Sequence, residues 1–207
     1  MVQKFMEKNQ KKARIGVLVS GSGSNLQAII DATRSTTLEN AEVAAVISNK
    51  KDAYALERAR KAGIDALFLN PKEFPDRRDY FEKISEELRK RKADLVCLAG
   101  FLLKLESNIL ERFSGRILNI HPALLPKFGG QGMYGHYVHE AVIRKGEKES
   151  GCTVHVVDEE FDHGEIVLQR KVPVLPGDTA EKLAARVLKE EHKLYPEAIS
   201  LYIKNHL

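Results

Sequence analysis

Short apolar runs alternate with stretches of helical spacing along most of the chain. The segments Ile15–Ser20, Val43–Ile47, Ala66–Leu69, Leu95–Ala99 and Ile117–Ile120 are apolar on both faces, the pattern of strands buried in a parallel sheet. Between them, Asn25–Ala32 sets Leu26, Ile29 and Ile30 on one stripe, Ala53–Ala62 sets Leu56 and Ala59, and Arg78–Lys92 sets Tyr80, Phe81, Ile84 and Leu88. Each predicts a helix, and Gly63 suits the left-handed position just past the second. Ser107–Phe113 predicts a shorter one. The alternation predicts an α/β fold, βαβ units in a mostly parallel sheet with helices on both faces. After Ile120 the pattern changes. Residues 121–135, with Gly129-Gly130-Gln131-Gly132, predict a long loop, and such loops are usually functional or disordered. Cys152–Asp158 and Ile166–Val172 predict two strands joined by a short turn, which would be antiparallel. Ala180 to about Ile203 predicts a closing helix, bent near Pro196.

Composition narrows the class. A chain of 207 residues, 43% hydrophobic and 30% charged, suits a single domain with an ordinary core. We expect that domain to occupy 13–207, behind a basic leader over 1–12 that carries Lys4, Lys8, Lys11 and Lys12. No stretch approaches the ~20 apolar residues of a membrane span, and the leader lacks the apolar core of a secretory signal. The expected compartment is therefore the cytoplasm, with no membrane partner. Cys97 and Cys152 lie within apolar runs and read as reduced core thiols. The net charge of +4 does not point to nucleic acid. Much of the excess sits in the leader and in Arg89-Lys90-Arg91-Lys92, a solvated helix end that complements the dipole without interleaved aromatics.

Two places carry candidate chemistry. At the first, a strand runs into Gly21-Ser22-Gly23-Ser24-Asn25-Leu26 and a helix. Glycines there let backbone N–H groups approach an anion, so Gly23, Ser24 and Asn25 could hold a phosphate; a bare small-residue turn fits equally. A dinucleotide fingerprint needs glycine where Leu26 stands and an acid where the chain has Ser48-Asn49-Lys50. A Gly-Lys-Ser/Thr ending is also absent, so NAD and ATP are both disfavoured. At the second place, Asn119 and His121 end a buried strand two residues apart and project to the same side. An amide and an imidazole there could stabilise an oxyanion and move protons in acyl transfer, or simply pack. Asp162, in the turn Glu159-Glu160-Phe161-Asp162-His163-Gly164, could orient the imidazole or be an ordinary turn residue. His155 alternates with Val154 and Val156 and so faces away from them. His121, His136, His139, His155 and His163 crowd this half of the chain, but no spacing gathers the three or four converging ligands that zinc needs. No metal is expected.

Taken together, the turn Gly21-x-Gly23-Ser24-Asn25-Leu26-Gln27, then Ala99-Gly100-Phe101, Asn119-Ile120-His121-Pro122-Ala123-Leu124-Leu125-Pro126, and Thr153-Val154-His155 through Asp162 to Gln169 resemble the folate-dependent formyltransferases. The Gly-Ser-Asn turn is similar to that of the ribonucleotide-using, glycinamide branch. The resemblance runs from about Ile15 to Tyr202 and implies a Rossmann-like fold. It implies formyl transfer from 10-formyltetrahydrofolate to the amine of glycinamide ribonucleotide, by a monomer or a homodimer with small-molecule partners. Asn119, His121 and Asp162 would be catalytic, with imidazolium His121 and Asn119 on the oxyanion and Asp162 with a water moving protons. Gly23, Ser24 and Asn25 would hold the phosphate and Glu191 the ribose hydroxyls. Leu102, Leu103, Lys104 and Leu105 would flank the pterin with Asp158, Glu159, Glu160, Phe161, His163 and Gly164. The sequence departs from the family's pattern at Ala123, at Leu103-Lys104 and in a longer loop Phe128–His136. The rivals are a hydrolase of the formylated folate, which carries an added N-terminal domain, a methionyl-tRNA branch with a C-terminal one, and a catalytically silent phosphate binder. A chain of this length is expected to lack both extra domains.

Overall fold

The computed structural model describes residues 12–207, so the basic leader expected over 1–12 lies outside the described residues except for Lys12. Seven strands and six α-helices follow in order: β1 (Ala13–Val19), α1 (Ser24–Thr33), β2 (Ala41–Ser48), α2 (Tyr54–Lys61), β3 (Ala66–Phe68), α3 (Arg77–Lys90), β4 (Leu95–Leu98), α4 (Ser107–Arg112), β5 (Ile117–His121), α5 (His136–Arg144), β6 (Glu149–Val156), β7 (Ile166–Pro173) and α6 (Ala180–His206). Except for α5, each was expected, with ends shifted by a few residues. Gly63 takes the left-handed conformation, φ 74°. The α6 helix runs on through Pro196.

The strands form one sheet in the order β3-β2-β1-β4-β5-β6-β7. β1 pairs in parallel with β2 and β4, as do β2 with β3 and β4 with β5. The β5–β6 and β6–β7 pairs are antiparallel. The sheet is therefore Rossmann-like and mostly parallel, with an antiparallel C-terminal edge. Two apolar cores flank it: α1, α2, part of α5 and α6 pack on one face, α3 and α4 on the other. Cys97 and Cys152 are buried free thiols. The basic end of α3 is folded back on acids of the chain, with Arg91 on Asp65 and Glu87, and Lys90 on Glu87. No helix among the described residues is long and apolar enough to cross a membrane.

The strand order reverses between β1 and β4. In open sheets of this kind, ligands bind in the crevice outside the carboxyl ends of the strands, at such a switch point. Three connections leave from those ends here: the turn after β1, the segment Ala99–Leu105 after β4, and the loop after β5. Ser20 Oγ ties the first to the second, donating to Asn49 Oδ1 (2.7 Å) and accepting from the Leu102 N–H (3.0 Å). The Tyr195 hydroxyl, within hydrogen-bond distance of the Leu98 (3.0 Å) and Leu118 (2.9 Å) carbonyls, docks α6 across β4 and β5. That contact places Glu191, one turn earlier on α6, at the crevice.

Candidate active site

A cavity of about 910 Å³ opens at that switch point, and Asn119, His121, Asp162, Asn25 and Glu191 all line it. Alternation explains the first two. Leu118 and Ile120 of β5 point into one core, which turns Asn119 and His121 to the other side of the strand. On β6, Cys152 and Val154 share that core, so Thr153 and His155 face the same way as Asn119 and His121. Asn119 and His155 are direct partners across the ladder, and Asn119 Nδ2 lies 3.1 Å from His155 Nε2. His155 Nδ1 lies 2.9 Å from the Val156 carbonyl. The imidazole thus donates through Nδ1 and accepts from Asn119 through Nε2.

His121 is 3% exposed. Its Nε2 meets the Phe128 carbonyl at 2.8 Å, and its Nδ1 is 3.4 Å from Asp162 Oδ1. Burial pushes the imidazole below its ordinary value, and His155 adds to this, against the opposing pull of Asp162 and the Phe128 carbonyl. His121 therefore rests neutral at pH 7, whereas the family resemblance implied an imidazolium in the reaction. Both ring nitrogens face acceptors, so a proton gained during reaction has a place prepared for it. Asp162 sits between the two imidazoles, also 3.6 Å from His155 Nε2. Burial alone would raise its carboxyl, but His155, His121 and the Gly130 N–H (3.0 Å to Oδ2) together hold it below the ordinary range. It is a carboxylate at neutral pH. Its φ of 55° is left-handed, a conformation aspartate tolerates better than most residues.

The loop after β5 is fastened by side chains that sequence reading had not assigned to the site. Thr153 Oγ1 donates to the Ala123 carbonyl (2.6 Å) and accepts from the Leu125 N–H (3.1 Å). Gln169 Nε2 reaches both the Leu125 carbonyl (2.8 Å) and Thr153 Oγ1 (2.9 Å). Gly129 is closely packed: a Cβ would lie 2.7 Å from the end of the Leu125 side chain and 3.1 Å from the Cβ of Asp162, so both would have to shift. This clamp sets the Phe128 carbonyl that holds His121.

The remaining expected residues divide. Leu102, Leu103, Lys104 and Leu105 line the cavity, as do Asp158, Glu159, Glu160 and Phe161. His163 and Gly164 are not brought to it: His163 Nδ1 pairs with Asp158 Oδ2 at 2.9 Å, and Gly164 packs against the Val156 carbonyl, where any Cβ would collide. Asn25 and Glu191 meet, Nδ2 to Oε2 at 2.6 Å. Gly23 and Ser24 sit at the start of α1 and do not themselves line the cavity. Burial raises the Glu191 carboxyl, with Asn25 opposing. His136, paired with Glu140, lines the cavity with His121, His139 and His155, whereas His163 does not.

Sequence reading missed α5 and the face of α6 that bounds the cavity. Val138, Ala141 and Val142, at helical spacing and buried, were the signal for α5. Glu181, Ala184 and Leu188 of the wall lie on the stripe that ends at Glu191, and followed from its i−3, i−7 neighbours. Buried in α5, His139 is held down to about 4 by burial first, then by His136 and His121. Its Nδ1 has no partner among the described residues. As pH falls below 6.5 the unfolded chain protonates this ring while the folded one does not, so stability is full above 6.5 and lost toward pH 4. The expected loss at this site is about 3 kcal/mol. Urea unfolding at pH 7.5, 5.5 and 4.5 should show it, and His139→Met should flatten the slope without abolishing it, since His121 acts in the same direction.

Comparison with known proteins gives this arrangement relatives. Residues 13–199 match the family described as formyl transferase. The phosphoribosylglycinamide formyltransferase of Escherichia coli is 43% identical over 193 residues, covering 93% of this chain and 88% of that one. The trifunctional purine biosynthetic protein adenosine-3 of Drosophila melanogaster is 43% identical over 196 residues, but this chain spans only 14% of its length. Glycinamide ribonucleotide transformylase 1 from Symbiobacterium toebii shares the fold with a TM-score of 0.89 at 48% identity, covering 95% of this chain and 90% of that one.

Proposed function

This chain belongs to the formyl transferase family, and we propose that it moves the formyl group of 10-formyltetrahydrofolate onto the amine of glycinamide ribonucleotide. The products are N-formylglycinamide ribonucleotide and tetrahydrofolate, in purine biosynthesis. The observation that carries this reading is the convergence of Asn119, His121 and Asp162 in one cavity whose two ends differ in chemistry. One end, at Asn25 and Glu191, is polar and lies beside the start of α1. The other, between Leu102–Leu105 and Asp158–Phe161, sets three leucines and Phe161 beside Lys104 and three acidic residues. At about 910 Å³ the cavity is at the upper end of ligand-pocket sizes, as two substrates side by side require.

In this reading the N–H groups of Gly23, Ser24 and Asn25 take the phosphate at the helix N-terminus. Glu191, buried beside the Asn25 amide, accepts from the ribose hydroxyls. Leu102, Leu103, Leu105 and Phe161 flank the pterin. The nucleotide amine then attacks the formyl carbon, and its C=O electron pair moves onto oxygen, where Asn119 and His121 face the new charge. That charge, beside Asp162, favours the protonated form of His121, which rests neutral. The carboxylate of Asp162, through a water, passes the proton lost by the amine to the folate nitrogen as the old C–N bond breaks. The test is turnover of the purified protein, followed as tetrahydrofolate release. Release that needs both substrates is expected; release independent of the ribonucleotide, or none, contradicts the reading.

A further inference from the structure

Three consecutive carbonyls of the turn between β1 and α1 are pinned, and an arginine pins the middle one. The Gly21 carbonyl accepts from the Ala55 N–H (3.1 Å) and the Gly23 carbonyl from the Gln27 N–H (2.9 Å). The Ser22 carbonyl accepts from Arg58 Nε (2.9 Å). In a trans peptide the C=O and the following N–H point in opposite directions. Fixing these three carbonyls therefore sends the N–H groups of Ser22, Gly23 and Ser24 the other way. Among the described residues none of them, nor the Asn25 N–H, meets a protein acceptor. The turn packs closely on α2 and needs glycine there: Gly23 is left-handed at φ 71°, and a Cβ would lie 2.6 Å from that of Ala55.

Arg58 is itself held on every side. Its Nη1 donates to Gln27 Oε1 (3.1 Å), and its guanidinium lies 4.8 Å from the centre of the Tyr54 ring. Among the described residues no carboxylate pairs with it. Its charge is therefore not neutralised by a carboxylate of those residues, and after burial it helps push the imidazole of His192 on α6 down. Among the described residues His192 Nε2 is buried without a partner. The sequence alone points to backbone amides, serine hydroxyls and Asn25 as phosphate donors and does not single out Arg58.

We propose that Arg58 is a positioning residue for the substrate phosphate: it turns the Ser22 carbonyl away from the anion, aligns the Gly23 N–H, and supplies the unneutralised positive charge behind the turn. This rests on the function proposed above. The test compares glycinamide ribonucleotide with its dephosphorylated nucleoside as acceptors, for the wild type, Arg58→Met and Arg58→Lys. Met keeps the stem over Tyr54 while removing charge and fork. The expected result for Arg58→Met is a KM for the ribonucleotide raised about ten-fold or more, with kcat and the folate KM within about two-fold and the kcat/KM for the nucleoside unchanged. Arg58→Lys should lie between, since lysine keeps charge but not the fork. An equal loss with both acceptors, or no loss with either, would overturn the assignment of Arg58. A wild type that turns over neither acceptor would instead overturn the functional reading.

Discussion

Replacing His121 by alanine is expected to lower kcat by about 10²–10³, the usual cost of one oxyanion donor, with the KM for the ribonucleotide changed by no more than a few-fold. The selectivity for kcat follows from position. His121 ends β5 beneath the loop, anchored by the Phe128 carbonyl at 2.8 Å and facing Asp162 at 3.4 Å, while the ribonucleotide end of the cavity is built from α1 and α6. Asn119→Ala should cost a similar factor. It also removes the donor to His155 (3.1 Å), so the double variant should lose less than the product of the two. Steady-state kinetics of the two single variants and the double, with thermal unfolding alongside, check this. A rise in KM with kcat preserved would place His121 in binding rather than in the reaction.

The second large effect belongs to Asp162. Asp162→Asn retains size, the left-handed backbone and an oxygen for the Gly130 N–H, and it removes only the charge. We expect kcat to fall by about 10²–10⁴, the range of general acid–base contributions, with the fold intact. The charge of Asp162 works to raise the His121 pKa against burial, so without it His121 titrates still lower. The limb of the kcat–pH profile that reports His121 should then move to lower pH in the variant. Activity near the wild-type level in Asp162→Asn would remove the carboxylate from the reaction altogether.

Most of the sheet and the direction of Asn119 and His121 could be read from the sequence, because both depend on local periodicity. Asp162 sits in an ordinary-looking turn, and only the family resemblance favoured a catalytic role for it. Runs such as Leu95–Leu98 are apolar on both faces, and a two-residue period fixes where Asn119 and His121 point once the strand is identified. What escaped depends on long-range contact. The α5 helix follows a glycine-rich loop, with three of its nine residues aromatic or imidazole at its first positions, which hides its apolar stripe. Thr153 and Gln169 look like ordinary strand residues until the ladder between β6 and β7 pairs them beneath the loop at Leu125. His155 was read as facing away from its apolar neighbours, but its contact with Asn119 needs the β5–β6 register. The same limit applies to the turn Asp158–Gly164. The stretch is continuous in sequence, yet the pairing of His163 with Asp158 and the packing of Gly164 on Val156 take those two residues away from the cavity. Arg58 is one of several basic residues on α2, and only the fold brings its side chain to the Ser22 carbonyl.

The central claim is that the formyl group goes to the amine of the nucleotide rather than to water. The most direct measurement follows the carbon itself: 10-formyltetrahydrofolate labelled with ¹³C in the formyl group, incubated with the protein and glycinamide ribonucleotide, and the products read by mass spectrometry and NMR. The account predicts one labelled formyl group on the nucleotide amine for each tetrahydrofolate released, with no labelled formate above the background. Label appearing as free formate, at the same rate with or without the ribonucleotide, would contradict it.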